Sequence, residues 1–183
     1  MDDLVNQYWK KAEKMILEEQ EIHPSIFGIR RDENGEFLSV DLELDFQTIN
    51  WGNPDHRYEL YYKAFRRKMQ KNLDGIMSIF ESWVTTLDVK EMMRMGLSPD
   101  GIRTQEDFLD LRDRYPNLFQ KSESLSIYIE FLGETRLVWG RIFREDNQYD
   151  GRITYLSEYV EHTEESMDGI IKEARERAYL EDF

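Results

Sequence analysis

The amino-acid sequence predicts an α+β protein: a mainly antiparallel sheet of about five strands, built from two hairpins and a central strand, with helices packed on one face. Three observations carry that expectation. Leu38 to Phe46 and Leu125 to Phe131 each alternate apolar and polar residues with period two. The apolar run "GIMSIFESWVTT", starting at Gly75, is short enough for a central strand. Three other segments space their apolar residues by threes and fours, as helices do. Hairpins in this order imply antiparallel pairing with helices laid against the sheet.

The first helix presents Leu4, Val5, Tyr8, Trp9, Ala12, Met15 and Ile16 on one face. Asp2 and Asp3 sit where acids favour a helix start. The helix is expected to fade near Glu21, ahead of the extended backbone that His23-Pro24 favours. A hairpin follows, turning at Asn34-Gly35 in a two-residue loop. Its second strand runs through "FLSVDLELDF", with Leu38, Val40, Leu42, Leu44 and Phe46 on one side and Ser39, Asp41, Glu43 and Asp45 on the other. The turn-rich "NWGNPDHR" leads to a helix whose stripe is Tyr58, Tyr61, Tyr62, Phe65 and Met69.

The central strand comes next, with Ile79, Phe80, Trp83 and Val84 expected to be buried. A helical insertion near 88–119 interrupts the sheet. In it Ser98-Pro99-Asp100-Gly101 is a turn, Thr104 caps a short helix, and Pro116 ends that helix. The second hairpin alternates Leu125, Ile127, Ile129 and Phe131 with Ser126, Tyr128 and Glu130, and turns at Gly133. Asp150-Gly151 marks another turn, ahead of a short strand from Ile153 to Leu156. A final helix carries Met167, Ile170, Ile171, Ala174, Ala178 and Tyr179. No repeat or linker divides the chain, so residues 1–183 read as a single globular domain.

Composition narrows the function. Of 183 residues, 40% are hydrophobic and 13% aromatic, enough for a real core and too many for disorder. The absence of cysteine removes disulfides, Cys-ligated zinc and a thiol nucleophile. The N-terminus is charged from its second residue and no apolar run reaches the ~18 residues of a membrane span, so a soluble, cytoplasmic protein is expected. A formal net charge of −14 argues against bulk nucleic-acid binding, because a negative surface repels a polyanion.

One stretch runs against that charge. Between Arg57 and Lys71 stand Arg57, Lys63, Arg66, Arg67, Lys68 and Lys71 against the lone acid Glu59. An amphipathic helix explains it, with aromatics in the core and the basic face turned toward acids of this chain or of another subunit. The C-terminal stretch from Glu158 onward, rich in Asp and Glu, offers such acids. A phosphate cradle made of backbone is less expected, since the flanking turn lacks a glycine-rich loop.

Among candidate chemical groups, Asp41, Glu43 and Asp45 would stand about 6.8 Å apart in successive pairs on one strand face. Carboxylates so placed suit Mg²⁺ or Ca²⁺; the plainer account is a solvated face or a charged strand edge. Glu81, inside an apolar strand, must be paired, hydrogen-bonded or shifted in pKa. It is a candidate acid or base, or a salt-bridge partner of Arg66 or Arg67. His23, His56 and His162 form no metal-ligand pair, and serine-elbow, P-loop and dinucleotide motifs are absent. No metal or other cofactor is therefore expected. Trp51, in a loop, is either a binding anchor or a cap on the core.

The strand ending Glu81-Ser82-Trp83, a following insertion, "ESLSIYIEF" and "GRIFRED" resemble a pattern in uncharacterised bacterial and phage proteins, in which a strand ends in Glu-Ala-Trp or similar. Arg141 and Arg144 are the later counterparts. The resemblance covers the second half of the chain and implies no activity.

The reading that follows is an acidic protein-interaction module, an adaptor or an inhibitor of a basic partner surface. One alternative is a metal- or phosphate-dependent enzyme using Asp41, Glu43, Asp45 or Glu81, with Arg66, Arg67 or Arg141 holding an anionic substrate. It requires two carboxylates and an arginine to meet in one cleft. A second alternative is a homo-oligomeric structural component.

Overall fold

The structure is a computed structural model and describes residues 1–19, 22–147, 151–163 and 169–181. Two compact units make up the chain: Met1–Glu81 together with Leu125–Phe183, and Ser82–Ser124. The α+β class and the mainly antiparallel sheet are as expected. Among the described residues the sheet has seven strands rather than about five: β1 (Ser25–Arg31), β2 (Phe37–Val40), β3 (Gly75–Leu87), β4 (Phe119–Phe131), β5 (Glu134–Asn147), β6 (Gly151–Leu156) and β7 (Val160–Thr163), in the order β2-β1-β3-β4-β5-β6 with β7 also on β5.

In the first unit, α1 (Asp2–Glu19) precedes the antiparallel hairpin of β1 (Ser25–Arg31) and β2 (Phe37–Val40). Their connection is longer than the two residues that Asn34-Gly35 suggested. The Asp32 carboxylate accepts the backbone N–H groups of Asn34 and Glu36, and only Gly35 is left-handed, at φ 84°. A short acid collecting local N–H groups competes with the tighter turn.

The same competition ends β2 at Val40. The Asp41 carboxylate accepts the Glu43 N–H at 2.7 Å, and Glu43 takes a left-handed φ of 54°. Asp45 repeats the move with the Gln47 N–H at 3.0 Å. The strand ladder stops, yet Val40, Leu42, Leu44 and Phe46 still pack on one side, with Leu42 fully buried. Alternation therefore indicates the buried side from Val40 onward even where no partner strand is bonded, while Leu38, expected on that side, is 47% exposed.

After α2 (Pro54–Gln70), capped by the Asn53 side chain with proline in its first turn, β3 (Gly75–Leu87) pairs antiparallel with β1. β4 (Phe119–Phe131), whose residues up to Ser124 belong to the second unit, and β5 (Glu134–Asn147) meet at Leu132-Gly133, both with positive φ, as a two-residue hairpin turn demands. The extra strands lie on the far edge of β5. There β6 (Gly151–Leu156) and β7 (Val160–Thr163) pair with successive stretches of β5. Between them the Ser157 N–H and hydroxyl oxygen bond the Arg141 carbonyl and N–H, bridging the break in the edge. The chain then forms α5 (Ile170–Leu180). Glu21, Asp150 and Met167, invoked for a helix end, a turn and a helix face, lie outside the described residues.

The helices cover both faces of the sheet, not one. On one side, Leu4, Val5, Tyr8, Trp9, Ala12 and Ile16 of α1 share a core with Ile29, Met77, Ile127, Ile129 and Phe131. On the other, Leu60, Tyr61, Ala64 and Phe65 of α2 and Ala174 and Ala178 of α5 share a core with Ile26, Ile76 and Tyr128. The buried stripe of α2 is thus centred on Leu60, Tyr61, Ala64 and Phe65, while Tyr58, Tyr62 and Met69 flank it half-buried. Successive β4 residues alternate between the two cores, so the Ser126, Tyr128 and Glu130 side is buried as well. Glu130 is polar there because Lys68 of α2 and Tyr179 of α5 bond it from the covering helices.

The second unit contains the helical insertion expected near 88–119. Asp88 caps α3 (Val89–Arg94), and a reciprocal capping box between Thr104 and Asp107 starts α4 (Gln105–Arg114). Met92 and Leu118 are buried, Phe108 meets Phe119 edge-on, and the Ser82 and Ser124 hydroxyls bond at 2.8 Å.

Candidate functional site

Four of the residues singled out from sequence meet in one place. Glu43, Leu44 and Asp45 form one wall of a groove of about 460 Å³, and Tyr62, Lys63, Arg66, Arg67 and Gln70 of α2 form the other. The helix brings its five positions to one side because residues three and four apart are neighbours on its surface. Two carboxylates and two arginines do converge, as the enzyme reading required. The three-carboxylate row of Asp41, Glu43 and Asp45 does not exist, because the turn at Glu43 breaks it.

The acids of the groove are already engaged. Lys71 lies 2.5 Å from Glu43, and that bond and charge hold the Glu43 carboxyl below its ordinary value. Asp45 accepts the Gln47 N–H and the Thr48 hydroxyl. No group of three or more His, Asp or Glu side chains placed to hold a metal ion occurs among the described residues.

Beneath the groove, α2 is anchored by polar groups that the sequence reading missed. Glu130 is 2% exposed, and its carboxylate accepts from Lys68 Nζ at 2.6 Å and from the Tyr179 hydroxyl at 2.9 Å. Lys68 also donates to Tyr179 at 2.8 Å, so α2, β4 and α5 are joined at one point. Burial first, then the Glu130 charge, push the Tyr179 hydroxyl well above the usual tyrosine value. At the surface, Tyr62 donates to Glu181, which also takes Arg177 at 2.8 Å. Two bases of this stretch, Lys68 and Lys71, are thus met by acids of their own chain, Glu130 and Glu43.

Nearby, the Tyr61 hydroxyl is bonded to Ser78 at 2.8 Å, and burial lifts its pKa to about 12. The unfolded chain releases that proton near the ordinary tyrosine value of about 10, before the folded chain does. Stability from this group is thus complete below pH ~10 and lost as pH rises toward ~12. Urea midpoints measured from pH 8 to 11 should fall above pH 10, and Tyr61→Phe should flatten that fall.

Glu81 is engaged by groups of its own chain. It accepts the Ile22 N–H at 2.8 Å and both of its oxygens lie 3.2 Å from Arg144 Nη2, so its ion-pair partner is Arg144 and not Arg66 or Arg67. Arg141 is half-buried on β5 and bonds Ser157 through its backbone. Trp51 is not an exposed anchor: its ring stacks on Phe46, 6.3 Å between centroids, against the α2 core. His56 Nδ1 accepts the Asn50 N–H, which fastens that loop to α2.

The exposed tryptophan is Trp83, which sequence placed in the core. It is 60% exposed, with Lys121 Nζ 5.2 Å from its ring centre. The same unit exposes Met93 at 62% and Met95 at 50%, together with Val89. It also holds a cleft of about 590 Å³ lined by Thr85, Arg112, Asp113, Pro116, Phe119 and Lys121. The signal was present in "KEMMRMG", whose methionines are too many for one short helix to bury.

No family model matches the chain, and no curated protein or solved structure shows significant similarity to it. The likeness to bacterial and phage proteins thus gains no support from a family match. Its residues are accounted for by their contacts: Glu81 with Arg144, Ser82 with Ser124, and Trp83 with Lys121. Among the described residues, no helix is long and apolar enough to cross a membrane.

Proposed function

We propose that the protein is a non-catalytic interaction module of the cytoplasm, an adaptor or inhibitor that holds a protein partner on its Ser82–Ser124 unit. The observation that carries this reading is the exposure of Trp83, with Met93 and Met95 on the same unit. Tryptophan dominates binding energy where a partner can desolvate it, and flexible methionines adapt to the opposing surface. That unit holds acids and bases in near balance, while the chain as a whole is strongly acidic. The partner that fits presents an apolar contact flanked by basic residues, drawn in by long-range charge.

The engagement of Glu43, Asp45 and Glu81 in bonds to their own chain weighs against the enzyme reading. The pairing of Lys68 and Lys71 with acids of the same chain leaves the homo-oligomer reading with less basic surface to use.

The test is affinity capture from the protein's own host lysate with wild type and a Trp83→Ser/Met93→Ser variant. Both side chains are exposed, so the thermal midpoint should be unchanged. A partner held by wild type should bind the variant at least ~30-fold more weakly, the effect of losing one hot-spot residue. Equal recovery of every species by both baits would overturn the reading.

A further inference from the structure

We infer that the groove between Glu43–Asp45 and α2 is a binding site for a small organic phosphate monoester, gripped by side chains rather than by a backbone loop. Three cations line it, Lys63, Arg66 and Arg67, against two carboxylates. Lys71, outside the groove lining, already pairs with Glu43, and Asp45 directs its oxygens into its own turn. Lys63 and Arg67 alone thus outnumber the one lining carboxylate, Asp45, that no cation pairs among the described residues, in a chain of net charge −14.

Lys63 and Arg67 carry the inference. They stand four residues apart on α2, where like charges repel, and neither is in an ion pair among the described residues. Arg67 makes a 3.4 Å contact to Gln70, a weak use of a guanidinium. An anion between them turns that repulsion into two charge-assisted contacts, and a dianion gains more from the pair than a carboxylate does. Arginine adds a planar fork that matches phosphate oxygens.

The size of the groove selects the rest of the ligand. At about 460 Å³ it is within the range of small-molecule sites and larger than phosphate alone needs. Leu44 and the Tyr62 ring supply apolar wall for an organic body, and the Tyr62 hydroxyl is already given to Glu181. A glycine-rich loop is needed only where backbone N–H groups cradle the phosphate. A site made of lysine and arginine heads on a helix needs none.

Titration calorimetry with phenyl phosphate and with inorganic phosphate at low salt tests this. Phenyl phosphate should saturate one site with a Kd of about 1 mM or tighter, in keeping with the efficiency of small ligands. It should bind more tightly than inorganic phosphate, and weaken as salt rises. Lys63→Ala/Arg67→Ala should weaken it at least ~10-fold with an unchanged thermal midpoint, and Arg67→Lys should lose less. Lys10→Ala/Lys11→Ala, on α1, should change nothing. Absence of saturable binding by folded wild type overturns the proposal, as does equal binding by the Lys63/Arg67 variant. Phenyl phosphate no tighter than inorganic phosphate overturns the ester assignment. None of these results bears on the Trp83 surface, so the two proposals fail separately.

Discussion

Lys68→Met should destabilise the protein by about 3–5 kcal/mol, the usual cost of stranding one member of a buried ion pair. The Lys68 and Glu130 side chains are 14% and 3% exposed, so water cannot replace the missing ammonium around Glu130. Tyr179 would remain as a donor, but a hydroxyl does not neutralise a carboxylate in a dry site. Urea denaturation at pH 7 measures the loss. Adding Glu130→Leu and Tyr179→Phe should recover much of it, because an apolar replacement of the whole cluster leaves no orphaned group. A Lys68→Met cost below about 1 kcal/mol would mean that Glu130 finds water or another cation, against the burial described.

Gly75→Ala should cost at least about 3 kcal/mol, toward the upper end for overpacking, because the obstacle is backbone. A Cβ at Gly75 would lie 2.1 Å from the Glu130 carbonyl oxygen and 2.9 Å from Phe131 Cα. Neither atom can swing aside, so β4 must shift at the residue that holds Lys68. Gly28→Ala is the useful contrast. Its Cβ meets Leu73 Cδ1 at 2.2 Å, the end of a side chain with other rotamers to adopt. Thermal unfolding of the two variants should rank Gly75→Ala well below Gly28→Ala. Equal midpoints would show that β3 and β4 separate easily at this point.

These two sites show where sequence reasoning reached and where it stopped. Helix faces and strand alternation identified α1, α2, β4 and the apolar side of 38–46, because burial imprints a period on the chain. Asp41 and Asp45 were misjudged because a short acid looks the same whether it lines a strand or folds back onto backbone N–H groups. The role of Glu130 left no mark in the sequence, because its alternation with apolar residues is the same whether its face is open or, as here, covered by α2 and α5, which supply its partners. Trp83 was misjudged for another reason. An unbroken apolar run reads as buried on both sides, but after Glu81 the chain leaves the first unit and its core. The meeting of Glu43 and Asp45 with Arg66 and Arg67 was foreseen only as a requirement, since a groove between distant segments leaves no spacing in the sequence.

The central claim, that a partner covers the Ser82–Ser124 unit, is tested most directly by hydroxyl-radical footprinting. Oxidation of Trp83, Met93 and Met95 is compared between the purified protein and the protein in its host lysate, with the exposed Met15 of α1 as internal control. The account predicts that all three residues lose reactivity several-fold in the lysate while Met15 does not. Equal oxidation in both settings would contradict it.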